Sequence, residues 1–219
     1  TRPLALVFAF ALLAGCAGAT TPPATPAPHA GASAPDTMSI VLLGTTDVHG
    51  RLVNHDYYTG RATDHGLAVL KPLVDSVRAA NPGRTLLFDS GDLLQGNPLG
   101  FVYARQHADQ PNPIIRAMNL LGYDAAAIGN HEFNYGLEHL DRAIRLARFP
   151  FLSANTFRHG TRQHAYQPYA LIPVPTPLGD TLLVGVTGNT PPGVHVWDRE
   201  NVTGILEFRD VVASLRPVV

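Results

Sequence analysis

Three short polar runs in this chain contain the residue types that hold metal ions: TTDVHG at 45–50, SGDLLQGN at 90–97 and GNHEFNYG at 129–136. Asp47 and His49 lie two residues apart, so an extended segment would turn an oxygen and a nitrogen ligand to one side. Asp92 and Asn130 add oxygen donors from the other two runs. Mixed imidazole, carboxylate and amide sets suit Zn²⁺, Mn²⁺, Fe or Co²⁺, and a shared carboxylate can bridge two ions. Two ions about 3.5–4 Å apart clamp the attacking and leaving oxygens of a phosphoryl transfer and lower the pKa of bound water. His131, next to Asn130, is then placed to contact the phosphate or to protonate the leaving oxygen. Asn130, His131 and Glu132 in a row are costly to bury unless something satisfies them. D-x-H and GD alone read as common turns, while GNHE has few structural uses; the three together, in order, are specific.

Composition removes several other chemistries. The 219 residues are 45% hydrophobic and 15% charged, with a formal net charge of −1, which predicts a folded core and gives no basic surface for a nucleic-acid polymer. The single lysine, Lys71, sits in an ordinary helical stretch, and no GxxxxGK[ST] run exists, so a P-loop is excluded and a Schiff base disfavoured. Cys16 is the only cysteine, which rules out a thiolate metal site and any internal disulfide. No GxSxG nucleophile turn occurs. The histidines other than His49 and His131 lack partners at ligand spacing and read as surface or core residues. Gln95 and Asn97 either line the site or satisfy their own turn. Trp197 and the Tyr57–Tyr58 pair either stack a base or pack.

The elements that must position these groups follow from periodicity. Apolar runs predict strands at 39–45, 84–90, 124–129, 151–155, 169–174 and 181–188, and helical spacing predicts helices at 66–80, 112–121, 136–148 and 208–216. Asn112 before Pro113, with Gly122 at the end, marks the second helix as capped at both ends. Each polar run follows one of the first three strands, and in open α/β sheets sites gather beyond the carboxyl ends of strands. The fold class is therefore α/β, in layers. Ahead of it, residues 1–16 read as a lipoprotein signal peptide: an apolar run over 4–15 ends in LAGC, a lipobox-like sequence with Cys16 as the lipidated residue. Residues 17–38, rich in Ala, Pro and Thr, read as an extended tether. The catalytic portion is expected over 39–219.

The order D-x-H, GD, GNH[DE] resembles the calcineurin-like metallophosphoesterases, and TTDVHG, DSGDLLQG and GNHEF resemble more narrowly the bacterial 5′-nucleotidase family. NHDYYTG, DSGDLLQGNPLG and IGNHEFNYGL are similar to its 2′,3′-cyclic-nucleotide 2′-phosphodiesterase/3′-nucleotidase branch. The resemblance implies an α-β-β-α sandwich, cut before its last strands, and two divalent ions. It places Asp47 and His49 on the first ion, Asp92 between both, Asn130 on the second and His131 on the phosphate, while Glu132 supports the loop. Asn134 stands where the 5′-nucleotidase branch has an aspartate beside the histidine, which implies a less basic His131. Further histidine ligands and a nucleotide-binding domain would fall beyond Val219, so the second ion is expected to bind poorly to this piece. The implied function is hydrolysis of 2′,3′-cyclic nucleotides to 3′-nucleotides and then to nucleoside and phosphate, in the bacterial cell envelope. The alternatives are a 5′-nucleotidase or nucleotide-sugar hydrolase, or a surface lipoprotein that binds without turnover.

Overall fold

The computed structural model describes residues 37–219. The segment read as a signal peptide (1–16) and nearly all of the one read as a tether (17–38) lie outside the described residues. The elements run β1 (Val41–Thr45), β2 (His55–Asp56), β3 (Arg61–Ala62), α1 (Leu67–Ala80), β4 (Thr85–Asp89), α2 (Pro98–Arg105), α3 (Pro113–Leu121), β5 (Ala125–Ala127) and α4 (Leu137–Leu146). They continue with β6 (Phe151–Leu152), β7 (Thr156–Arg158), β8 (Tyr169–Pro175), β9 (Thr181–Thr187), α5 (Val194–Trp197), α6 (Arg199–Val202), β10 (Leu206–Phe208) and α7 (Val211–Leu215). All six strands and all four helices expected from the sequence are present, most of them shorter at their ends, while β8 runs one residue further, to Pro175. The elements that periodicity missed are the two- and three-residue strands β2, β3, β7 and β10 and the helices α2, α5 and α6.

A parallel sheet in the order β1-β4-β5-β6 forms the frame. Because side chains alternate along a strand, each strand supplies both faces. Leu87, Ala126 and Phe151 turn to one face, where they join Leu67 and Val74 of α1, Ile114, Ile115 and Met118 of α3, and Leu140 of α4 in the main core. Phe88, Ala125 and Leu152 turn to the other face and meet Ala170, Ile172 and Val186 of the antiparallel β8–β9 hairpin. Helices, sheet and hairpin are thus stacked layers, as the α/β reading required.

Capping chemistry fixes the helix starts. The Asn112 side chain accepts from the amides of Ile114 and Ile115, with Pro113 at the first turn, and Gly122 ends α3 at φ 69°. Asn97 accepts in the same way from Leu99 and Gly100 at the start of α2. That settles the role of Asn97 in its turn: it is a helix cap.

Candidate metal centre

The strands β1, β4 and β5 are parallel, so their carboxyl ends lie along one edge. Asp47 follows the end of β1, Asp92 follows β4, and Asn130 and His131 follow β5. Backbone bonds tie the loops together there: the Asp47 amide donates to Gly91 O at 3.2 Å, and the His49 amide to Asp92 O at 2.8 Å. The His131 amide donates to Asp92 Oδ1 at 2.9 Å. One donor atom from each of His49, Asp92 and His131 lies within 4.8 Å of the others. His131 therefore stands close enough to share an ion with the other two, as well as to reach a phosphate beside it. The two imidazoles meet edge to face, 4.9 Å between centroids. Asp47 Oδ1 lies 3.6 Å from His49 Nε2, with its side chain turned to solvent.

One expectation needs correcting. Asp47 and His49 do not sit on an extended segment. Their φ angles are 52° and 49°, and that of Asp92 is 63°. These are the only non-glycine residues with positive φ among the described residues. Left-handed backbone at a residue with a side chain costs about 1–3 kcal/mol and persists where surrounding structure enforces it, as at functional sites. Here the strain falls on three of the four residues assigned to ions from their chemistry. The pair converges because the chain turns sharply at each ligand.

Two devices hold the Asp92 loop against the loop after β5. Glu132, fully buried, accepts the amides of Asp92 (2.9 Å), Leu93 (2.5 Å), Leu94 (3.2 Å) and Gly129 (2.7 Å). It thereby clamps the loop after β4 to the loop after β5. Burial pushes its carboxyl pKa up, and the backbone donors pull against that. The second device is close approach: a Cβ on Gly129 would stand 2.3 Å from Asp92 Oδ1, and one on Gly91 2.5 Å from Gly129 N. Only glycine lets these two loops touch.

Orientation of the ligands follows from their neighbours. His49 Nδ1 is 2.8 Å from the Gln95 carbonyl oxygen, which can only accept, so Nδ1 carries the proton and Nε2 keeps its lone pair. His131 Nδ1 lies 2.6 Å from Asn134 Oδ1, and Asn134 Nδ2 donates to Asp198 Oδ1 at 2.8 Å. Below Asp47, Thr45 donates to Asp89 at 2.5 Å and meets Tyr123 Oη at 2.9 Å. Burial pushes the Asp89 carboxyl up to about 7, against its bonds from Thr45 and Gly91, and the Tyr123 phenol up to about 12. Ser153, Asn155 and Thr190 form a buried polar knot behind the site, in which Thr190 Oγ1 donates to Ile128 O at 2.8 Å. Sequence reading missed this knot and Asp198, whose partners lie far away in the chain.

The carboxylates of Asp47 and Asp92 make this edge acidic, and the imidazoles of His49 and His131 border it. That donor set fits a divalent cation of intermediate hardness. His49, Asp92 and His131, with Asp47 beside them and Asn130 next in the chain to His131, are residues able to hold one.

No protein-family model matches the chain. Over 207 residues it is 39% identical to the trifunctional nucleotide phosphoesterase protein YfkN of Bacillus subtilis, which is 89% of this chain and 14% of that protein. Over 187 residues it is 35% identical to a 2′,3′-cyclic-nucleotide 2′-phosphodiesterase/3′-nucleotidase of Yersinia enterocolitica, 82% of this chain and 28% of that one. The chain thus spans well under two thirds of the length of these curated relatives. The crystal structure of calcineurin-like phosphoesterase YfkN from Bacillus subtilis matches with a TM-score of 0.75 at 38% identity, covering 82% of this chain and 57% of that chain. The resemblance read from the three motifs is borne out by these similarities in sequence and fold.

Proposed function

Starting from a chain similar in sequence and fold to the calcineurin-like phosphoesterases, we propose that the protein is a divalent-metal-dependent hydrolase of nucleotide phosphate esters. Its substrates in this reading are 2′,3′-cyclic nucleotides, opened to 3′-nucleotides, and then the 3′-phosphate itself. The observation that carries the reading is the coincidence of strain and chemistry: among the described residues Asp47, His49 and Asp92 alone carry left-handed side-chain-bearing backbone, and His49, Asp92 and His131 converge. Asp47, His49, Asp92 and Asn130 would hold the ions, with Asp92 shared. Bound there, divalent ions would polarise a phosphoryl oxygen and lower the pKa of water. The chain's own residues do the rest. Glu132 keeps the two ligand loops in register, and His49 is held by Gln95 so that Nε2 faces outward. His131, bonded at Nδ1, gives or takes a proton at Nε2. Asn134, as in NHEFNYG, and the names of the relatives support the cyclic-nucleotide substrate over a 5′-nucleotide. The apolar run ending in LAGC supports a place in the cell envelope, tethered through Cys16.

The test is hydrolysis of 2′,3′-cyclic AMP and 5′-AMP by the full-length protein with Mn²⁺ or Zn²⁺. Turnover of the cyclic substrate is expected, abolished by chelation and lowered about 10²–10⁴-fold by His131→Ala. Preference for 5′-AMP would overturn the substrate assignment. No metal-dependent rate, or an unimpaired His131→Ala variant, would leave a binding protein instead.

A further inference from the structure

We propose that Asp198 is a positioning residue that determines, through Asn134, which nitrogen of His131 carries the proton. This rests on the reading that His131 serves the phosphate. Asp198 sits at the junction of α5 and α6, 64 residues along the chain from Asn134, and is 4% exposed. Its Oδ1 accepts from Asn134 Nδ2 at 2.8 Å, while Oδ2 is buried with no partner among the described residues. A carboxylate so placed is not a surface residue that happens to touch the loop. The junction is tied to the same loop a second time, since Asn201 Nδ2 donates to Phe133 O at 3.0 Å.

Donor and acceptor identities give the consequence. A carboxylate accepts and does not donate, so Asn134 must turn its NH₂ to Asp198 and its carbonyl oxygen to His131. That oxygen also only accepts, so His131 must be protonated at Nδ1, 2.6 Å away. Nε2 then keeps its lone pair for the site. An amide has nearly the same shape when reversed, and nothing in the shape of Asn134 prevents the flip. Reversed, its NH₂ would face Nδ1 and drive the proton to Nε2, so that the ring could no longer accept a proton there. Asp198 removes that alternative without touching the imidazole.

The experiment combines ¹⁵N NMR of the His131 ring with steady-state kinetics on the full-length, metal-loaded protein, using Asp198→Asn and the exchange variant Asn134→Asp/Asp198→Asn. Wild type should show the Nδ1–H form. Asp198→Asn should admit the Nε2–H form and lower kcat about 10–100-fold with KM little changed, the range seen when a group orienting an imidazole is lost. The exchange variant, in which a carboxylate accepts directly from Nδ1, should restore both the tautomer and kcat. A wild-type ring protonated at Nε2, an unaltered ring in Asp198→Asn, or no rescue by the exchange would overturn the proposal. Should Asp198→Asn fail to fold, the wild-type spectrum and the exchange variant decide it. A wild type with the expected tautomer but no hydrolysis would refute the phosphoesterase reading and leave the relay standing.

Discussion

His139 presents both ring nitrogens to the interior of the protein with no hydrogen-bond partner among the described residues, at 4% exposure. Burial first, and then the positive charges of Arg142 and Arg105, hold its pKa down at about 4 from an ordinary 6.5. Between those values the unfolded chain binds a proton that the folded chain refuses, so stability rises with pH across the window. Its contribution is complete above 6.5 and is lost as pH falls toward 4. Urea unfolding at pH 7 and pH 5 should show a larger loss for wild type than for His139→Phe; equal losses would refute this. Residue chemistry of this kind is only partly legible in sequence. Asp47, His49, Asp92, Asn130 and His131 stood out by type and order. That Asp47 and His49 bend left-handed was hidden, because their amides bond to the carbonyls of Gly91 and Asp92, in a loop more than forty residues away. Asp198 gave no signal at all, since its partner lies 64 residues away.

Helix α3 was read from Asn112–Pro113, a cap that accepts two amides followed by a residue that lacks one. The same signature, Asn97–Pro98, begins α2 and passed as part of a polar turn. The difference is length: α2 has eight residues and a weaker apolar stripe, so periodicity could not support the cap. Caps and loop contacts should respond differently to substitution. Asn112→Ala is expected to lower stability by about 1 kcal/mol while divalent-ion affinity stays unchanged. Gly129→Ala puts a methyl against Asp92, 2.3 Å from Oδ1, and should weaken Mn²⁺ binding far more than it lowers the melting temperature. Titration calorimetry and thermal melts on both variants would check this, and equal loss of ion affinity in the two would refute it.

Across the whole molecule, the order of strands and helices was legible because the parallel strands are continuous apolar runs with punctuated ends. The strands β2, β3, β7 and β10 were not, because two or three residues have no period to detect. The layers are also unequal. The helical face holds Leu, Ile, Met and Phe side chains in one large core, whereas the hairpin rests on a small cluster centred on Ala125, Leu152 and Ala170. Less apolar area joins it to the sheet, so its local opening should be easier. Hydrogen exchange is expected to be faster at the amides of Leu182–Val186 than at those of Leu86–Phe88; the reverse order would refute this reading. Glu132 links the loops that follow two of these parallel strands from within, where solvent does not reach it. In the proposed hydrolase, replacing it would lower turnover as losing a reacting group would. A mutagenesis screen scored on rate alone would therefore misfile an architectural carboxylate among the chemical participants.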